Sequence, residues 1–328
     1  IVYGPSDQVG PFQVMDIILP LYTLFDRSFL DQFDPKGLTY YKGKLYKISD
    51  KLGNHLTLVY NKKLVPVPPA TDLELIEMGK KLTKDTDGDG KVDQYGLAWN
   101  YTEPFFFIPF MTGFGGWIMD EQDQPTLNTV GTVNGLKFVR ELRDVHGMIP
   151  NEADYNIADA LFKDGHAAMI INGDWSWAGY QKAGLDIGVA PLPFITSTGR
   201  WSGTMVSPKG FSVNARIRED SVKLRWVKEL IIYLTSEENQ MEATRTLFTM
   251  PTNKNVIKSE FVQSNEILRN SQVQIDHGNP MPVVPELRAI WDAMRPSYQA
   301  VLAGSKTPEQ AATDMQLQAV QRIKEMNE

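Results

Sequence analysis

The sequence predicts an α/β protein built from two domains. Segments with helical periodicity alternate with short β-rich runs along most of the chain, a pattern typical of parallel sheets flanked by helices. The chain has 328 residues, which is too long for one ordinary hydrophobic core. No internal repeat or low-complexity linker interrupts it, so we expect the chain to cross between the domains more than once.

Helices are predicted from capping residues and from apolar residues three or four positions apart. Thr71 and Glu74 form the pattern of a capping box, and the helix that follows carries Leu75, Met78 and Leu82 on one face. The other helix signals are the apolar series Val133 to Leu142, the series Val227 to Leu234, a box at Thr235 and Glu238, a helix start at Pro285, and Thr307-Pro308 with Gln310 before a long C-terminal helix.

Short β-rich runs lie between these helices. Their sequences are "LTLVYN" (56–61), "YGLAW" (95–99), "AAMII" (167–171), "DIGVAPL" (186–192) and "GFSVN" (210–214). Strands separated by helices of this length favour parallel pairing.

Composition narrows the classes of function. The formal net charge is −7 without a basic run, which argues against a nucleic-acid partner because phosphate binding needs a Lys/Arg face. Cysteine is absent, which excludes disulfides and thiol catalysis and fits an exported protein. No apolar run approaches the roughly 18 residues of a membrane span. The sequence opens on "IVYGPSD" without a methionine or a signal peptide, so we expect a processed or truncated product.

No sequence motif for catalysis is present. The four histidines are His55, His146, His166 and His277, and none belongs to a pair with the spacing of zinc ligands. GxSxG and GxGxxG are also absent. Two carboxylates that cleave a glycosidic bond cannot be recognised from spacing alone, so a carbohydrate-active enzyme remains an alternative.

One acidic segment has the spacing of a calcium loop. In "DTDGDGKVDQYG", Asp85, Asp87, Asp89 and Asp93 occupy positions 1, 3, 5 and 9, and the backbone carbonyl of Lys91 occupies position 7. The bidentate glutamate of position 12 is replaced by glycine. The segment is therefore either a structural calcium site or an Asp/Gly-rich turn between a helix and a strand.

Three aromatic segments suggest a sugar as ligand. Trp175 and Trp177 follow a β-rich run in "INGDWSWAG", so one of them can fill the core while the other faces elsewhere. Glu103 precedes three phenylalanines in "NYTEPFFFIPF", and Trp291 and Arg295 share a helix face at i and i+4. A sugar presents a C–H face to an aromatic ring and hydroxyls to polar groups. The alternative for each segment alone is a place in the core.

Five segments together resemble the maltose-binding protein family, the substrate-binding proteins of sugar ABC transporters. They are "INGDWSWA", "MPVVPELRAIWDAMR", "NYTEPFFF", "KLYKISDKLGNHLTLVYNKKLVPVPPAT" and "DYNIADALFKDGHAAM". The resemblance implies a type II periplasmic-binding-protein fold with two α/β lobes, parallel-rich sheets and a sugar between the lobes, which close by a hinge. It also implies a non-catalytic protein that needs no cofactor and delivers its sugar to a membrane ABC permease. Such a protein is periplasmic or extracellular, in some cases as a membrane-anchored lipoprotein.

The resemblance also assigns sugar-binding residues. They are Asp7, Asn54, Glu103, Phe105, Phe106, Trp175, Met281, Trp291 and Arg295. Trp175 matches a stacking tryptophan, and Trp177 is expected to pack behind it. The ligand is expected to be an α-linked oligosaccharide such as maltose, maltotriose or trehalose. Gly4 replaces a stacking tryptophan of maltose-binding protein and Asn54 replaces a glutamate, and both departures argue against classical maltodextrin specificity. A different solute, such as a polyol or a peptide, is a third interpretation.

The resemblance predicts the lobe boundaries as well. Residues 1–54 and 207–262 would form the first lobe, and residues 55–206 and 263–328 the second. Family members begin with a strand, a helix, a second strand and a second helix before the segment that matches "IVYGPSD". We therefore expect a preceding segment, or another chain, to complete the first lobe, and a monomer otherwise.

Overall fold

The computed structural model describes residues 1–327, except for the side chain of residue 327. Its strands are β1 (Val2–Pro5), β2 (Ile18–Leu19), β3 (Leu38–Tyr41), β4 (Lys44–Leu52), β5 (Leu56–Asn61), β6 (Tyr95–Trp99), β7 (Ala167–Gly173), β8 (Ile187–Ala190), β9 (Phe194–Ile195), β10 (Arg200–Trp201), β11 (Met205–Val206), β12 (Lys209–Asn214), β13 (Met250–Pro251) and β14 (Asn279–Pro280).

The α-helices of the same residues are α1 (Val9–Val14), α2 (Arg27–Leu30), α3 (Asp72–Leu82), α4 (Pro104–Gly113), α5 (Val130–Asp144), α6 (Tyr155–Lys163), α7 (Trp177–Lys182), α8 (Ser221–Leu234), α9 (Glu237–Leu247), α10 (Lys254–Ile257), α11 (Glu260–Ser264), α12 (Glu266–His277), α13 (Glu286–Leu302) and α14 (Pro308–Asn327). Short 3-10 helices cover Ser6–Gln8, Pro35–Gly37 and Ala215–Ile217. Within residues 1–327, no helix is both long enough and apolar enough to cross a membrane.

The predicted elements are found, with one change at a cap. All five β-rich runs form strands, and the Thr71/Glu74 capping box is present at the start of α3. The expected cap at Thr235 is wrong, because the Thr235 hydroxyl donates to the Ile231 carbonyl at the end of α8. The next residue, Ser236, caps α9 by accepting from the backbone N–H of Asn239.

The chain divides into two compact units. Unit 1 comprises Ile1–His55, Val206–Ile275 and Pro280–Leu287. Unit 2 comprises Leu56–Met205, Asp276–Asn279 and the chain from Arg288 onward. The first two divisions fall within one residue of the expected ones.

The grouping differs from the expected one after residue 262. Residues 263–275 and 280–287 belong to unit 1, although they were expected in the second lobe. The reason lies in α12, whose Leu268 and Ile275 are buried in one apolar cluster with Leu52 and Met250 of unit 1.

The sheet of unit 1 has the strand order β1-β12-β4-β13, with β2 also on β12 and β3 also on β4. Every one of these pairs is antiparallel, so the expected parallel pairing is wrong here. The strands β12 and β13, which α8 and α9 connect, do run in the same direction. However, β4 is inserted between them and runs in the opposite direction, which makes both of its pairings antiparallel.

β1 lies at one end of this sheet, and its only strand partner among residues 1–327 is β12. Tyr3 on this strand is 46% exposed. The expected preceding segment or second chain stays a prediction.

The sheet of unit 2 has the strand order β6-β7-β5-β8. β6 and β7 are parallel, as predicted for strands that helices connect. β5 is antiparallel to both of its neighbours, so it runs against the direction shared by the other three strands. Because β7 is buried along its whole length, the segment that follows its end at Gly173 is held on a rigid support.

Candidate functional site

Trp175 and Trp177 have opposite environments in unit 2. The Trp175 side chain is 37% exposed, whereas Trp177, the first residue of α7, is 0% exposed. The two-residue spacing at the end of β7 thus sends one ring to the surface and the other into the core, as the sequence predicted. This arrangement makes Trp175 available as a stacking surface.

The ring of Trp175 is held in a fixed position. Its Nε1 donates to the Tyr155 hydroxyl at 3.0 Å. Its six-membered ring lies over Gly173, where an added Cβ would come within 2.0 Å of a ring carbon. Glycine at this position is therefore required by the close approach of the ring. A ring fixed on both sides loses little conformational entropy when it meets a ligand.

Phe105 and Phe106 complete an aromatic cluster with Tyr155 and Trp175. The ring centroids of Phe105 and Trp175 are 6.5 Å apart, and those of Phe106 and Tyr155 are 6.4 Å apart. Phe106 is 6% exposed and forms the buried part of the cluster, whereas Phe105 is half-buried. Of the two phenylalanines, Phe105 is the one that can present a face to a ligand.

Glu103 and Arg295 form a bidentate ion pair. Arg295 Nε lies 3.1 Å from each carboxylate oxygen of Glu103, and one terminal nitrogen lies 3.0 Å from Oε2. Asp292, one turn earlier on α13, lies 3.6 Å from the other terminal nitrogen. The Glu103 and Arg295 side chains are 37% and 41% exposed. The pair therefore offers fixed acceptors and donors to solvent, in the combination that sugar hydroxyls require.

Trp291 lies on the same helix as Arg295, one turn before it, and is half-buried. The predicted i, i+4 relation of Trp291 and Arg295 on one helix is confirmed by the helical bounds of α13. The remaining predicted sugar-binding residues of unit 2 are Glu103, directly before α4, Phe105 and Phe106 on α4, and Trp175 after β7.

Three of the predicted residues, Asp7, Asn54 and Met281, belong to unit 1. Asp7 is in the 3-10 helix after β1, half-buried, and its Oδ1 is 3.5 Å from the Ser207 hydroxyl. Met281 is 8% exposed, and its backbone N–H donates to the Val206 carbonyl. Asn54 has a φ of 49°, in the left-handed region that asparagine tolerates better than most residues.

The space beside Gly4 is filled by Gln8. A Cβ at position 4 would lie 2.3 Å from Gln8 Oε1. The position where maltose-binding protein has a stacking tryptophan therefore faces an amide here. No local pattern in the sequence indicated this contact between Gln8 and Gly4.

Tyr155 was also missed. It is the first residue of α6, after the cap Asp154, and lies in the segment "DYNIADALFKDGHAAM". An aromatic residue directly after a helix cap was the only local signal for it. Its contact with Trp175 is formed in the tertiary structure.

The acidic loop brings together three of its four aspartates. Asp85, Asp87 and Asp89 each place one carboxylate oxygen within 4.8 Å of the others. Asp93 lies outside this group, because its Oδ2 accepts from the backbone N–H and the hydroxyl of Thr86. These hydrogen bonds lower the pKa of Asp93. Three oxygen ligands fit the start of a calcium loop, and the predicted participation of Asp93 and of the Lys91 carbonyl stays a prediction.

An exposed aromatic ring that is held in place, with an ion pair that faces solvent in the same unit, is an arrangement that suits the binding of a small polar solute. The chain belongs to the bacterial extracellular solute-binding proteins, whose family pattern matches residues 1–270, and this confirms the resemblance to the maltose-binding proteins. Members of this family bind solutes and are not enzymes.

The chain is 46% identical to the maltose/maltodextrin-binding domain of Bdellovibrio bacteriovorus, solved with maltotriose bound. The match has a TM-score of 0.93 and covers 98% of this chain and 84% of that one. A cyclo/maltodextrin-binding protein solved with maltotetraose is 28% identical over 99% of this chain and 82% of its own, with a TM-score of 0.83. These matches confirm the type II binding-protein fold.

The maltotriose-binding protein of Pyrococcus abyssi is 27% identical to this chain over 305 residues. The match covers 92% of this chain and 65% of the Pyrococcus protein, so the chain spans about two thirds of that relative's length.

Proposed function

We propose that this protein binds an α-linked glucose oligosaccharide without cleaving it. The protein acts outside the cytoplasmic membrane and delivers the sugar to an ABC permease in that membrane. The observation that carries the proposal is Trp175, a tryptophan that is 37% exposed yet fixed by Tyr155 and Gly173. An exposed aromatic ring that is held in place suits stacking against the C–H face of a sugar.

The polar groups beside this ring suit the hydroxyls of the same ligand. The Glu103 carboxylate accepts hydrogen bonds, and the Arg295 guanidinium donates them. Each partner holds the other in one orientation, so neither has to be ordered again when a sugar arrives. Trp291, one turn away on α13, is the second proposed stacking residue.

Relatives with bound maltotriose and maltotetraose support a glucose oligosaccharide of about this length for the present chain. The departures at Gly4 and Asn54 support a specificity different from that of classical maltodextrin binders. We propose maltotriose as the reference ligand because a relative that is 46% identical was solved with it, and the two departures are the reason to compare maltose and trehalose with it.

The enzyme alternative and the binding proposal give different results with maltotriose. Isothermal titration calorimetry should show saturable binding with one site, and chromatography after long incubation should recover the trisaccharide intact. A thermal-shift panel of maltose, maltotriose, trehalose, a β-linked glucose trisaccharide and a polyol reports the preference. A ligand present at 100 times its dissociation constant adds about 2.7 kcal/mol to the stability, which is readily measured. No stabilisation by any α-glucoside, or release of glucose, would contradict the proposal.

We also propose a structural calcium ion at Asp85, Asp87 and Asp89. The support is the ligand spacing together with the gathering of these three carboxylates. The loop connects α3 to β6, so a bound ion would stabilise this connection. It takes no part in the proposed binding of sugar.

A further inference from the structure

Lys47 is a buried lysine on β4, in the sheet of unit 1. Its exposed fraction is 1%. The ammonium donates to the carbonyl oxygen of Gly4 at 2.7 Å and to that of Pro5 at 2.6 Å. Burying an ammonium is unfavourable unless it forms such hydrogen bonds, so its retention here suggests a specific task.

The two carbonyls belong to the last two residues of β1, directly before the 3-10 helix that carries Asp7. β1 ends at Pro5, and the 3-10 helix Ser6–Gln8 begins at the next residue. Ser207 holds the start of this 3-10 helix through a second contact, since its hydroxyl accepts a hydrogen bond from the Ser6 backbone N–H at 3.0 Å. Lys47 and Ser207 together therefore fix the backbone on which Asp7 stands.

β12, which lies between β4 and β1, leaves space for the Lys47 side chain to extend to the Gly4 carbonyl. The register of β12 pairs Gly210 with Gly4 on one side and with Ser49 on the other. Because Gly210 has no side chain, β12 places no side chain in the row that joins Ser49 to Gly4. The Lys47 side chain starts two residues from Ser49 and ends at the Gly4 carbonyl.

The surroundings of Lys47 are polar. Thr39 pairs with Lys47 across β3 and β4, and the register of β4 with β12 places Ser212 on its other side. The hydroxyls of Thr39, Ser49 and Ser212 are buried and have no hydrogen-bond partner among residues 1–327. Such groups are typical positions for internal water, which helps a buried ammonium to keep its charge.

Lys47 and Asp7 also affect each other's charge. Burial raises the pKa of Asp7, whereas its own backbone hydrogen bond, the positive charge of Lys47 and, more weakly, Lys209 oppose this rise. Burial lowers the pKa of Lys47 to about 8, and the negative charge of Asp7 limits this decrease. The other charged groups nearby on β4 are Asp50, whose pKa burial raises, and Lys51.

We propose that Lys47 is a positioning residue for Asp7: its ammonium holds the Gly4 and Pro5 carbonyls at the end of β1, so that the Asp7 carboxylate, two residues further on, is oriented to accept hydrogen bonds from ligand hydroxyls. This inference rests on the proposed function and on the prediction, from the family resemblance, that Asp7 contacts the sugar.

The test compares Lys47→Met with the wild type and with Lys44→Met, a matched change of an exposed lysine on the same strand. Calorimetry with maltotriose is run from pH 4.5 to pH 7.5. A carboxylate that must be ionised loses its function as the pH falls through its pKa, and removing a nearby positive charge raises that pKa. Lys47→Met should therefore bind roughly tenfold more weakly at neutral pH, and its loss of affinity on acidification should begin at a higher pH. Lys44→Met should behave as the wild type.

The double variant Lys47→Met/Asp7→Asn separates positioning from general damage. If Lys47 acts through Asp7, its substitution should change the affinity of the Asp7→Asn protein by less than about twofold, since the coupled effects do not add. Equal losses in both backgrounds, or unchanged affinity and pH profile in Lys47→Met, would overturn the inference.

A measurement without sugar makes the test independent of the ligand, and its wild-type part does not depend on the folding of any variant. In the wild-type protein, the ¹³C signal of the Asp7 carboxyl should titrate on acidification and show a second inflection near pH 8, where Lys47 loses its proton. The second inflection should be absent in Lys47→Met. Its absence in the wild type would contradict the coupling. Failure of the wild type to bind any α-glucoside would instead contradict the proposed function.

Discussion

The exposure of Trp175 and the burial of Trp177 predict opposite consequences for the same substitution. Trp177→Ala empties a fully buried site, for which a loss of about 3–5 kcal/mol of unfolding free energy is usual. Trp175→Ala removes a ring that already exposes 37% of its surface, so its effect on stability should be clearly smaller. The loss in sugar affinity should follow the opposite order.

The expected affinity loss can be given a magnitude. Truncation of a tryptophan at the centre of a binding site typically costs about 2 kcal/mol or more, which is roughly 30-fold in the dissociation constant. We expect Trp175→Ala to weaken maltotriose binding by about this factor. Trp175→Phe should retain part of the affinity, because it keeps an aromatic face but loses the hydrogen bond to the Tyr155 hydroxyl.

The assay combines calorimetric titration with maltotriose and unfolding in urea. Trp226→Ala is the matched control, since Trp226 is 66% exposed on α8 in unit 1 and has no proposed role in binding. This control should change neither quantity by more than about 0.5 kcal/mol. The reasoning is refuted if Trp175→Ala unfolds the protein while Trp177→Ala folds normally and loses the sugar. It is also refuted if Trp175→Ala binds maltotriose as well as the wild type does.

Three further predictions concern the residues around this ring and the acidic loop. Gly173→Ala should shift the Trp175 ring, because the new methyl group would lie 2.0 Å from it, and should lower sugar affinity by about tenfold in calorimetry with little change in the far-UV circular dichroism spectrum. Arg295→Gln should weaken maltotriose binding by about ten- to a hundredfold, since it removes a donor and releases the Glu103 carboxylate, and unchanged affinity would exclude the pair from the site. Calcium should raise the melting temperature of the wild type but not that of Asp87→Asn, without affecting sugar affinity, and melting curves with chelator or with calcium that coincide would reduce the loop to a turn.

Local sequence patterns predicted several helices and strands of this fold correctly, although the expected cap at Thr235 was wrong. The capping box at Thr71 and Glu74 and the five β-rich runs are found where the sequence placed them, since caps and side-chain alternation depend on residues within one or two turns. Strand direction was not determined in this way. β4 and β5 each lie between two strands, and each runs antiparallel to both of them. The choice of neighbours in a sheet depends on the packing of the whole unit.

The sequence by itself determined which residue types were available for a ligand: tryptophans at the end of a strand, an acid before a phenylalanine run, and an arginine one turn after a tryptophan. Only the tertiary structure decided how they combine. Glu103 and Arg295 are separated by 192 positions, so no local pattern could show that they form one ion pair. The same holds for Lys47, which no motif marked and which reaches the Gly4 and Pro5 carbonyls across the sheet. Periodicity and capping act between neighbours in the chain, whereas a binding site depends on contacts between distant segments, which form only when the core brings those segments together.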